Sequence, residues 1–241
     1  MNRTARIVIV SMLCFWYSVP NTLAAPVGVK LGFTASTFYY TDRTMDPYLG
    51  FDIDLRPYLG YDIEWVQLGN QKPLFSPNIG CYLDYSIADR IILRPEIGIT
   101  QKGVVFNQYD YERIIYKVRL TYVHIPLTIG YQALKTDHYI FELYAGGAAA
   151  FKLHASKRVG SYDSRIQSIT LDNVRKFDFS LLFGFNVKWD LIGKTFMCDV
   201  QGFFGLTDIF DPIDNQARLY HHTQKTKITG ISLSLAYEFT K

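Results

Sequence analysis

The sequence predicts an all-β chain folded as a transmembrane antiparallel up-and-down β-barrel of eight strands. Three observations carry that expectation. Apolar side chains recur at every second position along many segments, the period of a strand whose two faces meet different surroundings. These segments run to 12–18 residues, whereas strands of soluble domains usually stop at about five or six. Their connections alternate between short and long, which puts tight turns on one rim and extended loops on the other.

Composition agrees with this reading. The 241-residue chain is 49% apolar and 16% aromatic, yet its mean hydropathy is only +0.02. Both hold when apolar and polar residues are finely interleaved. After residue 25 no segment approaches the run of about 20 apolar residues that a membrane helix needs, and no repeat or low-complexity tract is present.

In chain order, residues 1–25 read as a secretory signal peptide. Arg3 and Arg6 precede an apolar stretch from Ile7 to Val19, followed by Pro20 and the small-residue run Leu23-Ala24-Ala25. Thirteen apolar residues are too few for an anchoring helix, and Leu13 stands where a lipobox through Cys14 needs a small residue. Cleavage removes two arginines and no acids. That leaves 23 basic residues against 22 acidic ones, a net charge of +1, and argues against a nucleic-acid partner. Cys81 and Cys198 sit in apolar slots of alternating strands and read as small hydrophobes.

The mature domain, 26–241, holds candidate strands at 27–39, 76–87, 90–103, 115–132, 138–153, 175–189, 194–207 and 227–239. Short periplasmic turns fall at 88–89, 133–137 and 190–193; long outer loops cover 40–75, 104–114, 154–174 and 208–226. FDIDLRPYLGYDIEW, residues 51–65, also alternates. Nine strands would put the termini on opposite sides of the membrane, so this segment is assigned to an extended, partly β first loop, with ten strands as the alternative.

The apolar face is best defined in FDFSLLFGFNVKW, where Phe177, Phe179, Leu181, Phe183, Phe185, Val187 and Trp189 occupy every odd position. A 13-residue strand of roughly 43 Å, tilted near 45°, spans about 30 Å of hydrocarbon. Opposite such positions lie Lys30, Asp84, Arg94, Glu96, Lys102, His124, Glu142, Lys152, Asp178, Asn186, Lys188, Asp199, Gln201 and Glu238. In a soluble ligand-binding barrel these would be the solvated outer face. Few side chains fill the interior of eight strands, however, and bulky aromatics repeat here on strand after strand, so lipid is the expected medium. Five cations and six carboxylates would then face inward with His124. Charges withdrawn from water need partners, so the expectation is a cross-linked polar plug and a closed lumen. Tyr39, Tyr40, Tyr85, Tyr131, Tyr139, Trp189 and Tyr237 fall where two aromatic girdles belong. Pro95 and Pro126 cannot donate to a ladder, and a bulge or break is expected at each.

Several stretches together resemble a known family. YSIADRIILRPEIGITQKG (85–103), YKVRLTYVHIPLTIGY (116–131), FDFSLLFGFNVKW, DVQGFFGLTDIF (199–210) and ISLSLAYEF (231–239) are similar to the outer-membrane β-barrel domains called porin-like or PorT-like, over residues 27–240. The resemblance implies an eight-stranded barrel in a bacterial outer membrane, inserted by the barrel assembly machinery, and suggests an accessory role in type IX secretion for PorT-like members. This chain departs from the pattern at His124, where the family usually has an acid, in its longer first loop, and in Thr240 and Lys241 after the terminal Phe239.

Candidate chemistry is sparse. His124 could approach Glu142, with Ser180 and Ser232 also facing inward, but inward serines are ordinary in small barrels, and a structural histidine is expected. Asp208, Asp211, Asp214, His221, His222 and Lys225 form no recognised metal spacing, since adjacent histidines on an extended chain point apart. No catalytic group, cofactor or metal is therefore expected. The third loop carries Lys157, Arg158, Arg165, Arg175 and Lys176 against Asp163 and Asp172, cations suited either to lipopolysaccharide phosphates or to a solvated loop. The expected protein is non-enzymatic, with membrane lipids as partners and an envelope or surface-binding role. A secretion accessory is the alternative; an outer-membrane enzyme and a soluble ligand-binding barrel stand behind it.

Overall fold

Backbone polar groups in lipid must be satisfied within the protein, and a long alternating sheet achieves this only by closing on itself. The computed structural model describes residues 25–40, 71–109, 113–161, 167–171, 174–210 and 226–239. Their strands are β1 (Val27–Tyr40), β2 (Gln71–Leu83), β3 (Tyr85–Ala88), β4 (Ile91–Tyr109), β5 (Arg113–Lys135), β6 (Tyr139–Ser161), β7 (Gln167–Thr170), β8 (Phe177–Leu191), β9 (Lys194–Gly205) and β10 (Thr226–Phe239). All pairings are antiparallel, in the order β2-β1-β10-β9-β8-β6-β5-β4, and β4 pairs with β2 to close the barrel. β3 continues β2 beyond Asp84 along β4, and β7 is a short flap on β6. Among the described residues the wall therefore has eight staves. The 51–65 segment and residues 1–24 of the signal sequence lie outside them.

Chain ends Val27 and Phe239 pair with each other and share a rim with the tight turns around Asp89, Asp137 and Ile192-Gly193. That rim is the periplasmic one. Ile192 and Gly193 both take positive φ, 53° and 69°, as a two-residue type I′ hairpin requires.

Three strands run further outward than the alternation suggests. β4, β5 and β6 extend through much of the expected loops 104–114 and 154–174. A bulge explains the difference for β6, whereas β4 and β5 simply keep pairing in one register as far as Tyr109↔Arg113. The β5–β6 register steps from Tyr122↔Lys152 to Thr121↔His154, leaving Leu153 as an extra residue. Below the bulge the buried positions of β6 are even-numbered, including Glu142, Tyr144 and Ala150; above it Ala155 and Lys157 turn inward. A strict period of two ends at this inversion. β2 likewise starts at Gln71 rather than 76, and its register with β4 shifts between Pro73 and Asn78, where Pro73 and Pro77 withhold donors. At Pro95 and Pro126 the β4–β5 ladder skips from Pro95↔Leu127 to Gly98↔His124 without changing register. This is a local break with no bulge.

The outward face is apolar along the lower and middle wall. Phe177, Phe179, Leu181, Phe183 and Phe185 are exposed, Phe183 at 59%, while Val187 and Trp189 are half-buried. From Tyr139 to Leu153 the outward positions of β6 cover about 35 Å at a tilt near 40°. Trp189, Phe196, Tyr237 and Phe239 pack in succession near the periplasmic rim, with centroids 6.3, 5.5 and 4.8 Å apart, and Tyr39 stacks on Phe204 at 4.5 Å near the other. Cys81 and Cys198 are free thiols on half-buried positions.

Candidate functional site

Among the described residues the lumen gathers most of the wall's paired charges, and it is filled in tiers. Nearest the periplasm, Arg94 grips Asp84 with two parallel bonds, Nε to Oδ1 at 2.6 Å and Nη2 to Oδ2 at 2.9 Å. Its other edge meets Glu142, Nη1 to Oε1 at 2.9 Å and Nη2 to Oε2 at 3.2 Å. Lys188 donates to both Asp84 and Glu238, and Tyr82 donates to Glu238 at 3.2 Å. Asn186 donates to Glu142 at 3.1 Å. Gly130 makes room for this cluster: a Cβ there would collide with the Glu142 carboxylate.

One tier outward, Lys30 bridges Glu96 at 2.7 Å and Asp199 at 3.2 Å. Tyr144 donates to Asp199 at 2.6 Å. Its hydroxyl reaches there because Gly184 carries no side chain at the crossing. Higher again, Lys102 stands 3.6 Å from Asp178 and 4.6 Å from the Phe203 ring centroid, and Thr207 donates to Asp178 at 2.6 Å. Lys30, Asp84, Arg94, Glu96, Lys102, Glu142, Asp178, Lys188, Asp199 and Glu238 are all buried. Inside a barrel such charges are held by mutual pairing, because removing any one leaves its partners uncompensated.

Two residues of the expected lumen set behave differently. Among the described residues Lys152 joins no carboxylate; its ammonium donates to the Val174 carbonyl. His124 lies opposite Ala150 on β6, eight residues from Glu142, so these two do not meet. Its Nδ1 has no partner and faces a cavity of about 30 Å³ shared with Lys30, Glu96, Lys102 and Gln201. That space is large enough for one or two waters. Ser180 and Ser232 both border the same cavity, and Ser232 accepts from Asn78 and donates to the Phe33 carbonyl. Of Asp208, Asp211, Asp214, His221 and His222, only Asp208 falls within the described residues.

Above the charges lies an element that alternation alone does not reveal. Phe38, Val104, Leu120, Tyr122, Phe203 and Ile228 form an apolar cluster inside the outer end of the barrel, and Val174 and Ile209 from the loops fold into it. The loops are pinned by Arg175 N to Ile209 O at 2.7 Å and Ile209 N to Thr226 O at 2.9 Å, and Val174 bridges Phe210. The lumen is thus stoppered twice, by ion pairs below and by hydrocarbon above. The sequence signal for the second stopper is the run of even-numbered apolar residues Val104, Val118, Leu120 and Tyr122, on the face where charges stand lower down.

A family model described as outer membrane protein beta-barrel domain matches residues 21–211. The chain belongs to this family. It is an outer-membrane β-barrel protein, and its place is the bacterial outer membrane. Among solved structures, this outer-membrane barrel is similar to Ail, the attachment invasion locus protein of Yersinia pestis, at 10% identity and TM-score 0.40, covering 89% of this chain and 99% of that one. OprG from Pseudomonas aeruginosa matches at 8% identity and TM-score 0.42 over 90% and 97% of the two chains. A major outer membrane protein from Thermus thermophilus matches at 10% and 0.43 over 88% and 99%. Likenesses this distant leave the assignment resting on the family model. No curated protein sequence matches the chain.

Proposed function

We propose that this protein works from its outer surface and not through its lumen, as a non-enzymatic barrel that reinforces the envelope or presents its loops to a surface partner. The supporting observation is the double stopper. A permeating solute would have to break the Arg94–Asp84–Glu142–Lys188 cluster and also displace Val174, Ile209 and Phe203. Eight strands enclose too little space for an aqueous channel around such contents. The non-enzymatic reading is supported by His124, whose Nδ1 has no hydrogen-bond partner among the described residues, where a general base would be oriented by a carboxylate or hydroxyl. Reconstitution into planar bilayers tests the reading. Silent membranes are expected for the wild-type barrel, and regular conductance steps would overturn the closed lumen.

A further inference from the structure

Above the bulge at Leu153 the outward face of the barrel changes character. Lys117 and Arg119 on β5 point outward, alternating with the buried Val118 and Leu120. Lys117 lies directly across from Arg158, and Arg119 across from Ser156. Arg158 is exposed, as is His154 beside Thr121. β7 extends the same face, placing Ser168 next to Arg158 and Thr170 next to Ser156.

Like charges directly opposed on a sheet repel. Burial first, and then the charges of Arg119 and Arg158, hold the Lys117 ammonium below its ordinary range. None of the three cations has a carboxylate partner among the described residues. The described acids lie elsewhere: in the lumen, at the periplasmic turns, and at Asp208. The bulge assigns the neighbouring lysine to a different surface, because Lys157 turns inward and is buried.

Height along the barrel decides what these cations meet. Arg119 and Lys117 stand four and six residues beyond Val123, about 10 and 15 Å along the axis at a 40° tilt. With Phe151 and Val123 at the outer edge of about 30 Å of hydrocarbon, Arg119 stands just beyond a headgroup layer of about 5–8 Å, and Lys117 and Arg158 stand above it, at the height of the sugars and phosphates of a large glycolipid head. Directly below on the same two strands, Ile125, Leu127, Phe151 and Leu153 are exposed apolar wall. A soluble polyanion would use only the cations. An amphiphile with anionic heads uses both.

We propose that Lys117, Arg119 and Arg158 form a binding site for the phosphate groups of a phosphorylated glycolipid of the outer leaflet, with its acyl chains along Ile125, Leu127 and Phe151. Ser168, Thr170 and His154 supply flanking donors for sugar hydroxyls or phosphate oxygens. The site deepens the surface-acting role proposed above, since it assigns that surface a lipid partner, but it does not depend on whether the lumen conducts.

The test uses the full mature chain folded in detergent, with short-core lipopolysaccharide and its dephosphorylated form as probes, read by displacement of a fluorescent lipopolysaccharide. The triple variant Lys117→Gln, Arg119→Gln, Arg158→Gln is expected to lose on the order of 100-fold in affinity, roughly fivefold per cation. Retained heat-modifiability on gels checks its folding. Lys227→Gln, on β10 across the barrel, is expected to bind as wild type does. Dephosphorylated lipid is expected to bind wild type as weakly as intact lipid binds the variant, an arm that needs no mutant. Equal binding of the two lipids by wild type, an unimpaired folded triple variant, or full displacement by heparin at matched charge would overturn the proposal. Millimolar inorganic phosphate that displaced the lipid would also overturn it, by reducing the site to a simple anion patch. Conductance in bilayers, by contrast, would sink the closed lumen and leave this site standing.

Discussion

Arg94 offers the sharpest test of how the lumen is held. It is 2% exposed and contacts both Asp84 and Glu142, themselves buried. Replacing it with Met keeps much of its length and removes four charge-assisted contacts. In the cluster the change leaves Lys188 alone against Asp84, Glu142 and Glu238. Breaking one side of a buried ion pair costs about 3–5 kcal/mol, so Arg94→Met should destabilise the barrel by roughly that amount. If the penalty comes from stranded carboxylates and not from lost packing, adding Asp84→Asn and Glu142→Gln should recover much of it. The double-mutant coupling between Arg94 and Asp84 should then be of order 2 kcal/mol. Reversible urea unfolding in lipid vesicles, followed by intrinsic fluorescence and gel mobility, measures all of these. A loss below about 1 kcal/mol for Arg94→Met, or no recovery in the neutralised background, would refute the reasoning that charge pairing holds the lumen together.

Three further outcomes are expected. Phe183→Arg, at mid-wall on the lipid face, should cost about 2–4 kcal/mol in vesicle unfolding, whereas a barrel bathed in water would barely register it. Ile192 is 93% exposed and holds φ at 53° in its hairpin turn, a conformation that disfavours a β-branched side chain by about 1–2 kcal/mol. Ile192→Asn should therefore raise the unfolding midpoint, and a lowered midpoint would count against the turn geometry. At the outer mouth, burial pushes the Lys157 ammonium down to about 8, below its unfolded value. The folded state then releases its proton first as pH rises, so the unfolded state binds more protons between about 8 and 10.5, and stability should climb across that window. Lys157→Met should flatten the climb in pH-dependent unfolding.

Much of the wall was legible because lipid on one side and a packed lumen on the other impose a period of two. Phe177 to Trp189 show it in β8, and all eight staves fall where the alternation puts them. The double contact of Arg94 was not legible. Pairing between β3, β4, β5 and β6 depends on register, and many inward acids are equivalent by parity alone. Where one residue inserts at Leu153, parity inverts along β6, and its outer part reads as loop although it pairs continuously with β5. The apolar stopper was hidden for a different reason. Val104 and Leu120 are in phase with lumen charges lower down, and alternation reports which face a residue takes, never the height at which the contents change.

Leu153 functions as a phase shifter. A single inserted residue lets β6 leave the membrane wall with its inner and outer coats exchanged while β5 beside it keeps its phase, so that one lysine is stowed in the mouth while its neighbouring arginine is displayed outside. Deleting that residue would turn the outer part of β6 over as a unit, so that Lys157 faces outward and Arg158 inward, with His154, Ala155 and Ser156 turning alongside. The decoration of the upper turret is in this sense set by counting: a frame of one residue decides which cation the outside shows and which the mouth stows.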